Sequence, residues 1–246
     1  MDRALYVGMS GAMQTLLAQT ANSNNLANAS TTGFRAQLVD AQSMPVNGPG
    51  LPSRVNAQLL DQGWDSSAGS LTQTGRDLDV ALRDGTWLAV QGSDGNEAYT
   101  RAGNLRVDAY GQLLTGNGQP VLGDNGPISV PPYSSIKVGG DGTISIVPAG
   151  QSPSTQATVG RLRVVQASPD QLGRGEDGLM RAVPGVSLDA ASGETVTSGV
   201  LEGSNVDLAT TMVTMIQLAR QFDLQTRIMK SVEDNSSAAT SLLKMS

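Results

Sequence analysis

The chain contains no cysteine and no histidine. Without cysteine there is no disulfide, no thiolate metal ligand and no thiol nucleophile. A cysteine-free chain also suits passage, unfolded, through a narrow export channel. Without histidine the usual general base and the commonest metal ligand are missing. A Ser-His-Asp triad and any His-based zinc site are thereby excluded. Aromatic residues make up only 3% of the chain, too few for a compact enzyme built around large rings. No apolar stretch approaches the ~18 residues of a membrane-spanning helix. Asp2 and Arg3 cancel, so the N-terminus has no basic region and predicts no cleaved secretory signal. Positive charge is scarce as well: 16 Lys and Arg stand against 22 Asp and Glu, a net charge of −6. Nothing here makes a basic face for nucleic acid.

What is present is an unusual distribution. Residues 4–34 carry no charge at all. Leu5, Met9, Ala12, Leu16, Gln19, Ser23 and Leu26 recur at steps of three and four, which places them on one face of a helix. A helix of ~25 residues is ~40 Å long. With no charged side, it is best explained as surrounded by other helices. Gly8, Ser10, Gly11 and Ala12 allow close helix approach, although glycine costs ~1 kcal/mol relative to alanine in an isolated helix. The composition predicts a segment poorly ordered alone that orders on assembly.

At the other end, residues 206–244 read as a second, amphipathic helix. Ser204-Asn205-Val206-Asp207 reads as a capping box with Asp207 in the first turn. Leu208, Met212, Met215, Ala219 and Phe222 form an apolar stripe that drifts to Ile228, Val232, Asn235, Ala239 and Leu242. About 39 residues give ~58 Å of helix, a length that calls for a coiled-coil partner. The first helix is the obvious candidate.

Between the helices the pattern changes twice. Residues 36–75 are rich in Gly, Pro and Ser, and Met44–Pro52 is broken repeatedly by proline and glycine, so an extended connector with a short hairpin is expected. Residues 76–203 form a series of short strands. Leu78–Leu82, Thr86–Gln91, Glu97–Arg101, Asn104–Asp108, Gln112–Thr115, Ile128–Val130, Ile136–Val138, Thr143–Val147 and Val159–Ala167 are apolar or alternating runs. Asp84-Gly85, Asp94-Gly95, Tyr110-Gly111, Asn117-Gly118, Asn125-Gly126 and Asp141-Gly142 punctuate them as hairpin turns. The expected fold is mainly β with long terminal α-helices. The helices (1–35 with 204–246) pair as a coiled-coil-like assembly domain around an antiparallel all-β domain.

Three motifs in this order resemble those of bacterial flagellar rod and hook proteins. The run from Asn24 to Arg35, holding Asn25, Leu26, Ala27, Asn28, Thr32, Gly33 and Phe34, is similar to the family's N-terminal signature. Gly75-Arg76-Asp77-Leu78-Asp79-Val80-Ala81-Leu82, shortly before Trp87, resembles the family's lead-in to its β domain. Leu201–Asp207 resembles the start of its C-terminal helix. Thr86 departs from the pattern, since many relatives have glycine there. A helix end followed by a turn would explain the first motif alone, but not three motifs in order across nearly the whole chain. Within the family the likeness is nearest to proximal-rod members, with distal-rod members the next nearest.

The resemblance implies a structural rod subunit, exported uncleaved by the flagellar type III apparatus into the periplasm. It implies assembly with copies of itself and with other rod proteins, and neither cofactor nor small-molecule substrate. The helical stripe residues are then the expected subunit interface: Leu5, Met9, Ala12, Leu16 and Leu26, with Leu208, Met212, Met215, Ala219, Phe222, Ile228, Val232 and Leu242. Asn28 and Gly33 are expected to tolerate positive φ near the helix end, and Phe34 to anchor the chain beyond it. The methionines Met9, Met13, Met212 and Met215 suit deformable packing between non-identical neighbours.

Other motifs have plainer explanations. Gly173-Arg174-Gly175-Glu176-Asp177-Gly178 matches GxGxxG, but no helix follows and two carboxylates would repel phosphate. Asp94–Glu97 and Asp124–Gly126 offer oxygens without EF-hand spacing. Asp77 and Asp79 fit a strand lead-in better than a glycosidase pair. The competing function is a secreted β-domain module that binds carbohydrate or peptide; it predicts that the middle domain alone suffices.

Overall fold

The computed structural model describes residues 2–45 and 55–244. It is mostly β, with one long helix at each end and antiparallel sheets between them. Helix α1 spans Asp2–Ala27 and α2 spans Leu208–Lys244. The chain divides into two units. One holds Met1–Ala29, Gln37–Gly63 and Val206–Ser246; the other holds Ser30–Ala36 and Trp64–Asn205.

In the first unit α1 and α2 pack on each other. Small and polar side chains meet there, together with Met229. A Cβ built on Gly8 would lie 2.9 Å from Met229 Cγ, and one on Gly11 would lie 3.2 Å from Gln225 Nε2. The Thr15 hydroxyl lies 3.1 Å from Gln225 Oε1, and Asn22 Nδ2 donates to the Thr211 carbonyl at 2.9 Å. Residue numbers rise along α1 as they fall along α2, so the pair is antiparallel. The segment read as a connector contains two long strands, Gln37–Pro45 and Val55–Trp64, paired with each other. The Pro- and Gly-rich residues 46–52 lie outside the described residues. The Ser10 hydroxyl donates to the Ala57 carbonyl at 3.3 Å.

The start of α2 differs from the expected capping box. Asp207, not Ser204, is the cap: its Oδ1 accepts from the Ala209 N–H at 2.9 Å, and its Oδ2 accepts from the Thr210 hydroxyl at 2.8 Å. An aspartate carboxylate meets the free N–H groups of the first turn directly, which makes it an effective cap. Those hydrogen bonds hold the Asp207 carboxyl below the usual carboxylate range.

The β unit is built on a six-stranded sheet in the order Leu172–Arg174, Met180–Ala182, Glu97–Thr100, Thr86–Gln91, Val164–Gln166, Asp189–Ala190. Thr86–Val90 is buried throughout. Alternate residues point to opposite faces. Leu88 and Val90 therefore join the larger core with Leu105, Leu113, Val121, Ile144 and Leu162, while Trp87 and Ala89 join a second core with Trp64, Tyr99, Val165 and Met180. A strand covered on both faces reads as one apolar run. The Trp64 and Trp87 rings meet edge to face, with centroids 5.1 Å apart.

Several expected strands end differently. Val159–Ala167 is two strands, Ala157–Arg161 and Val164–Gln166, and Ile128–Val130 contributes only a bridge through Ser129 to Gln112. Leu172–Arg174 and Met180–Ala182 form a hairpin whose turn is the GxGxxG segment, closed by Gly175 N–H donating to the Leu179 carbonyl. No helix follows it. At the departure from the family pattern, the buried Thr86 closes a turn by donating its hydroxyl to the Arg83 carbonyl at 2.7 Å.

Candidate functional site

Two sets of residues have no role in a plain β core. The first lies within the β unit, where Gly33–Ala36 and Glu202–Asn205 run side by side. The Gly33 N–H donates to the Glu202 carbonyl at 2.8 Å and the Asn205 N–H to the Phe34 carbonyl at 3.3 Å. Gly33 has φ +68°, and a Cβ there would sit 2.3 Å from the Arg101 carbonyl carbon and oxygen. Both the backbone sign and the close approach require glycine.

Beneath this crossing lies an ion cluster. Arg35 Nη2 and Glu202 Oε1 are 2.6 Å apart, and Arg101 Nε donates to Glu202 Oε2 at 2.7 Å. The Gly69 N–H donates to Glu202 Oε1 at 3.0 Å. Side-chain exposure is 3% for Arg35 and 1% for Glu202. Burial favours the neutral acid at Glu202, but the Arg101 charge, then the hydrogen bonds from Arg101 and Arg35, hold its carboxyl below the usual range. Burial likewise lowers Arg101, and Glu202 opposes that shift. Arg101 also donates to the carbonyls of Leu82, Arg83 and Thr86, and lies over the Trp87 ring at 5.8 Å.

Neighbouring side chains complete the crossing. Asn205 Oδ1 accepts from the Ala36 N–H at 2.7 Å, and its Nδ2 donates to the carbonyls of Asp65 and Ser67. Arg174 lies 4.8 Å over the Phe34 ring and donates to the Arg35 carbonyl. Phe34 is thus half-buried under a cation.

The second set lies in the helical unit. Asn25 accepts from the Gln37 N–H at 2.8 Å and donates to the Gln37 carbonyl at 2.9 Å, closing the loop between them with a reciprocal pair. Asn28 caps the end of α1, its Nδ2 donating to the Asn24 carbonyl at 2.9 Å. It does not adopt positive φ: among the described residues only glycines do. The asparagine amide closes the helix by hydrogen bonding, so no left-handed backbone is needed. Leu26 and Thr32 are half-buried, and Ala27 is exposed.

Much of the apolar stripe is left exposed. Leu5, Met9 and Leu16 are exposed, Met9 at 50% and Leu16 at 46%. Ala12 alone of the α1 stripe is buried. On α2, Leu208, Met212, Ala219 and Ile228 are exposed, while Met215, Phe222 and Val232 are half-buried. The side chain of Leu242 lies outside the described residues, as does that of Ala239.

Sequence reasoning singled out Gly33 and Phe34 but passed over Arg35, Arg101, Arg174, Glu202 and Asn205 as site residues. A usable signal was present. Arg35 is the first charge after the uncharged stretch, and Glu202 is the one charge between Glu194 and Asp207.

Three family models match the chain: a flagella basal body rod protein model over residues 5–35, a flagellar hook protein FlgE/F/G D1 domain over 81–146, and a flagellar basal body rod FlgEFG protein C-terminal model over 197–242. The chain is 46% identical over 252 residues to flagellar basal-body rod protein FlgF of Escherichia coli (strain K12), covering all of both chains. The chain belongs to the FlgF family of flagellar basal-body rod proteins. FlgF of Salmonella typhimurium is equally similar, at 46% over both full lengths. FlgG of Bacillus subtilis is 31% identical over 95% of this chain and 96% of its own. The FlgF family is structural rather than enzymatic. Its N-terminal signature ends at Arg35, so the family match closes on the ion cluster. No helix among the described residues is long and apolar enough to cross a membrane.

Proposed function

We propose that the chain is a structural subunit of the flagellar basal-body rod, that it polymerises through its terminal helices, and that its place is proximal rather than distal. The observation that carries this reading is where apolar surface is left uncovered. Of the large hydrophobic side chains exposed among the described residues, six are on α1, six on α2 and six elsewhere. Large apolar side chains left exposed along two helices mark an interaction site. The α1–α2 contact leaves these twelve helical side chains exposed, so they remain for neighbours. Leu5, Met9 and Leu16 with Leu208, Met212, Ala219 and Ile228 are the proposed contacts, to copies of this chain and to other rod proteins. Ala12 and the half-buried Leu26, Met215, Phe222 and Val232 are proposed as further contacts in the rod, as is Leu242, whose side chain lies outside the described residues. Coiled-coil packing of the helices belongs to the assembled rod.

At ~25 cal/mol per Å², a few hundred Å² of apolar burial per helix contributes several kcal/mol, and ordering costs offset much of it. Polymerisation therefore requires a template, which fits assembly only at the basal body. The resulting tube transmits torque and conducts exported subunits. The chain reaches the periplasm through the flagellar type III apparatus, without a cleaved signal. The greater identity to FlgF than to FlgG supports the proximal place.

Electron microscopy of basal bodies from a strain lacking this chain tests the reading. Loss of the rod close to the membrane ring, with nothing built beyond it, is the expected result. A normal rod and hook would overturn it and favour a ligand-binding role for the β unit.

A further inference from the structure

Within the β unit a cavity of about 440 Å³ opens beside the ion cluster, lined by Trp64, Trp87, Arg35, Arg101, Ser66 and Ser168 among others. Arg35 brings one guanidinium nitrogen to Glu202, but its Nε and Nη1 are buried and have no hydrogen-bond partner among the described residues. Buried donors left unmet are rare and costly, and point to an acceptor that arrives from elsewhere. Charge agrees. Two guanidinium groups face one carboxylate in the buried cluster. Asp84 stands exposed at the rim, and its charge acts on Arg101 and leaves Arg35 as the unmet cation. The rest of the unit is acidic: residues 30–36 and 64–205 hold ten basic and fifteen acidic side chains. An identical or related unit therefore presents carboxylates to its neighbours, and the cationic pocket is complementary to them.

We propose that this pocket receives a carboxylate presented by an acidic side chain of a neighbouring subunit, with Arg35 as the charged receptor and the two indoles as its walls. The neighbour is supplied by the rod reading above, on which this proposal rests. Its test needs no rod, so the two can fail separately.

The chain's two tryptophans both line the pocket, so intrinsic fluorescence of the full chain reports on this site. The probes are N-acetyl-glutamate amide, its neutral glutamine counterpart, and acetate. A saturable change is expected with the glutamate compound, at least about tenfold weaker with the glutamine compound and with acetate, a difference of about 1.4 kcal/mol. Equal responses to glutamate and glutamine would overturn charge recognition. Acetate acting as strongly as the glutamate compound would overturn a side chain as the source in favour of a free acid. No response to any probe would overturn the site. Arg35→Lys should weaken the response by a similar factor. Because that variant disturbs the ion cluster, Ser66→Leu serves as a second: it narrows the exposed mouth and leaves the cluster intact. It should abolish the response with an unchanged urea midpoint, and a persisting response would place binding elsewhere.

Discussion

Arg35 and Glu202 are 167 residues apart in the chain, yet their side chains meet at 2.6 Å in the interior of the β unit. One follows α1 and the other precedes α2. Both ends of the β unit's chain are thereby held at a single point, by an ion pair that solvent does not screen.

Removing the charge at this point should be severe. Glu202→Gln leaves two buried guanidinium groups without a counter-charge, which costs about 3–5 kcal/mol. Urea unfolding of the β unit, followed by tryptophan fluorescence, measures it. A loss under about 1 kcal/mol would mean the cluster is not buried as described.

The same pair sets an acid limit. The folded Glu202 carboxyl titrates below its ordinary value of 4.5. A depressed value contributes stability above the unfolded value and loses it as pH falls through the folded one. The urea midpoint should therefore be steady from about pH 7 to pH 5 and fall below about pH 4.5, and the fall should be shallower in Glu202→Gln. An identical acid slope in both proteins would assign the limit to other carboxylates.

Gly33 tests the crossing independently of charge. Gly33→Ala puts a side chain at φ +68°, against the Arg101 carbonyl. The left-handed backbone alone costs about 1–2 kcal/mol, and the collision adds to it. The expected result is a lower melting temperature with faster amide exchange at position 33 and at Asn205. Wild-type stability would show that the chain shifts to accept the methyl.

Asn25→Ala addresses the helical unit. It removes both hydrogen bonds to Gln37 and leaves that backbone to water, a loss of about 1–3 kcal/mol. Amide exchange at Gln37 should quicken while the β unit's tryptophan signal is unchanged. Retained protection at Gln37 would remove the asparagine from this role.

The elements were legible to different degrees. The helices were clear because a three–four apolar rhythm persists over many residues, and Thr86–Gln91 was clear because a doubly covered strand is apolar throughout. The strands Leu71–Gln73 and Val200–Glu202, paired with each other, were not read. Each is only three residues long, and their pairing joins distant parts of the chain. The strands at Gln37–Pro45 and Val55–Trp64 were masked by the Pro- and Gly-rich stretch between them. In the site, Asn25, Gly33 and Phe34 stood out through the family signature, and Gly33 also through its backbone freedom. Arg35, Arg101 and Glu202 did not, because a charge in a sequence reads as surface until its partner is located.

By itself the sequence determined that this chain has an uncharged N-terminal helix, a turn-rich β middle and a long C-terminal helix, and that histidine and cysteine chemistry is closed to it. Periodicity, turn residues and absences are local properties, carried by neighbouring residues. Only the tertiary structure decided that Gly8, Thr15 and Asn22 of α1 meet Met229, Gln225 and Thr211 of α2 while Leu5, Met9, Leu16 and Leu208 stay exposed, and that Glu202 lies between two arginines from distant segments. Those outcomes depend on which surfaces come within a few ångströms, and burial and ion pairing act at that range whatever the separation along the chain.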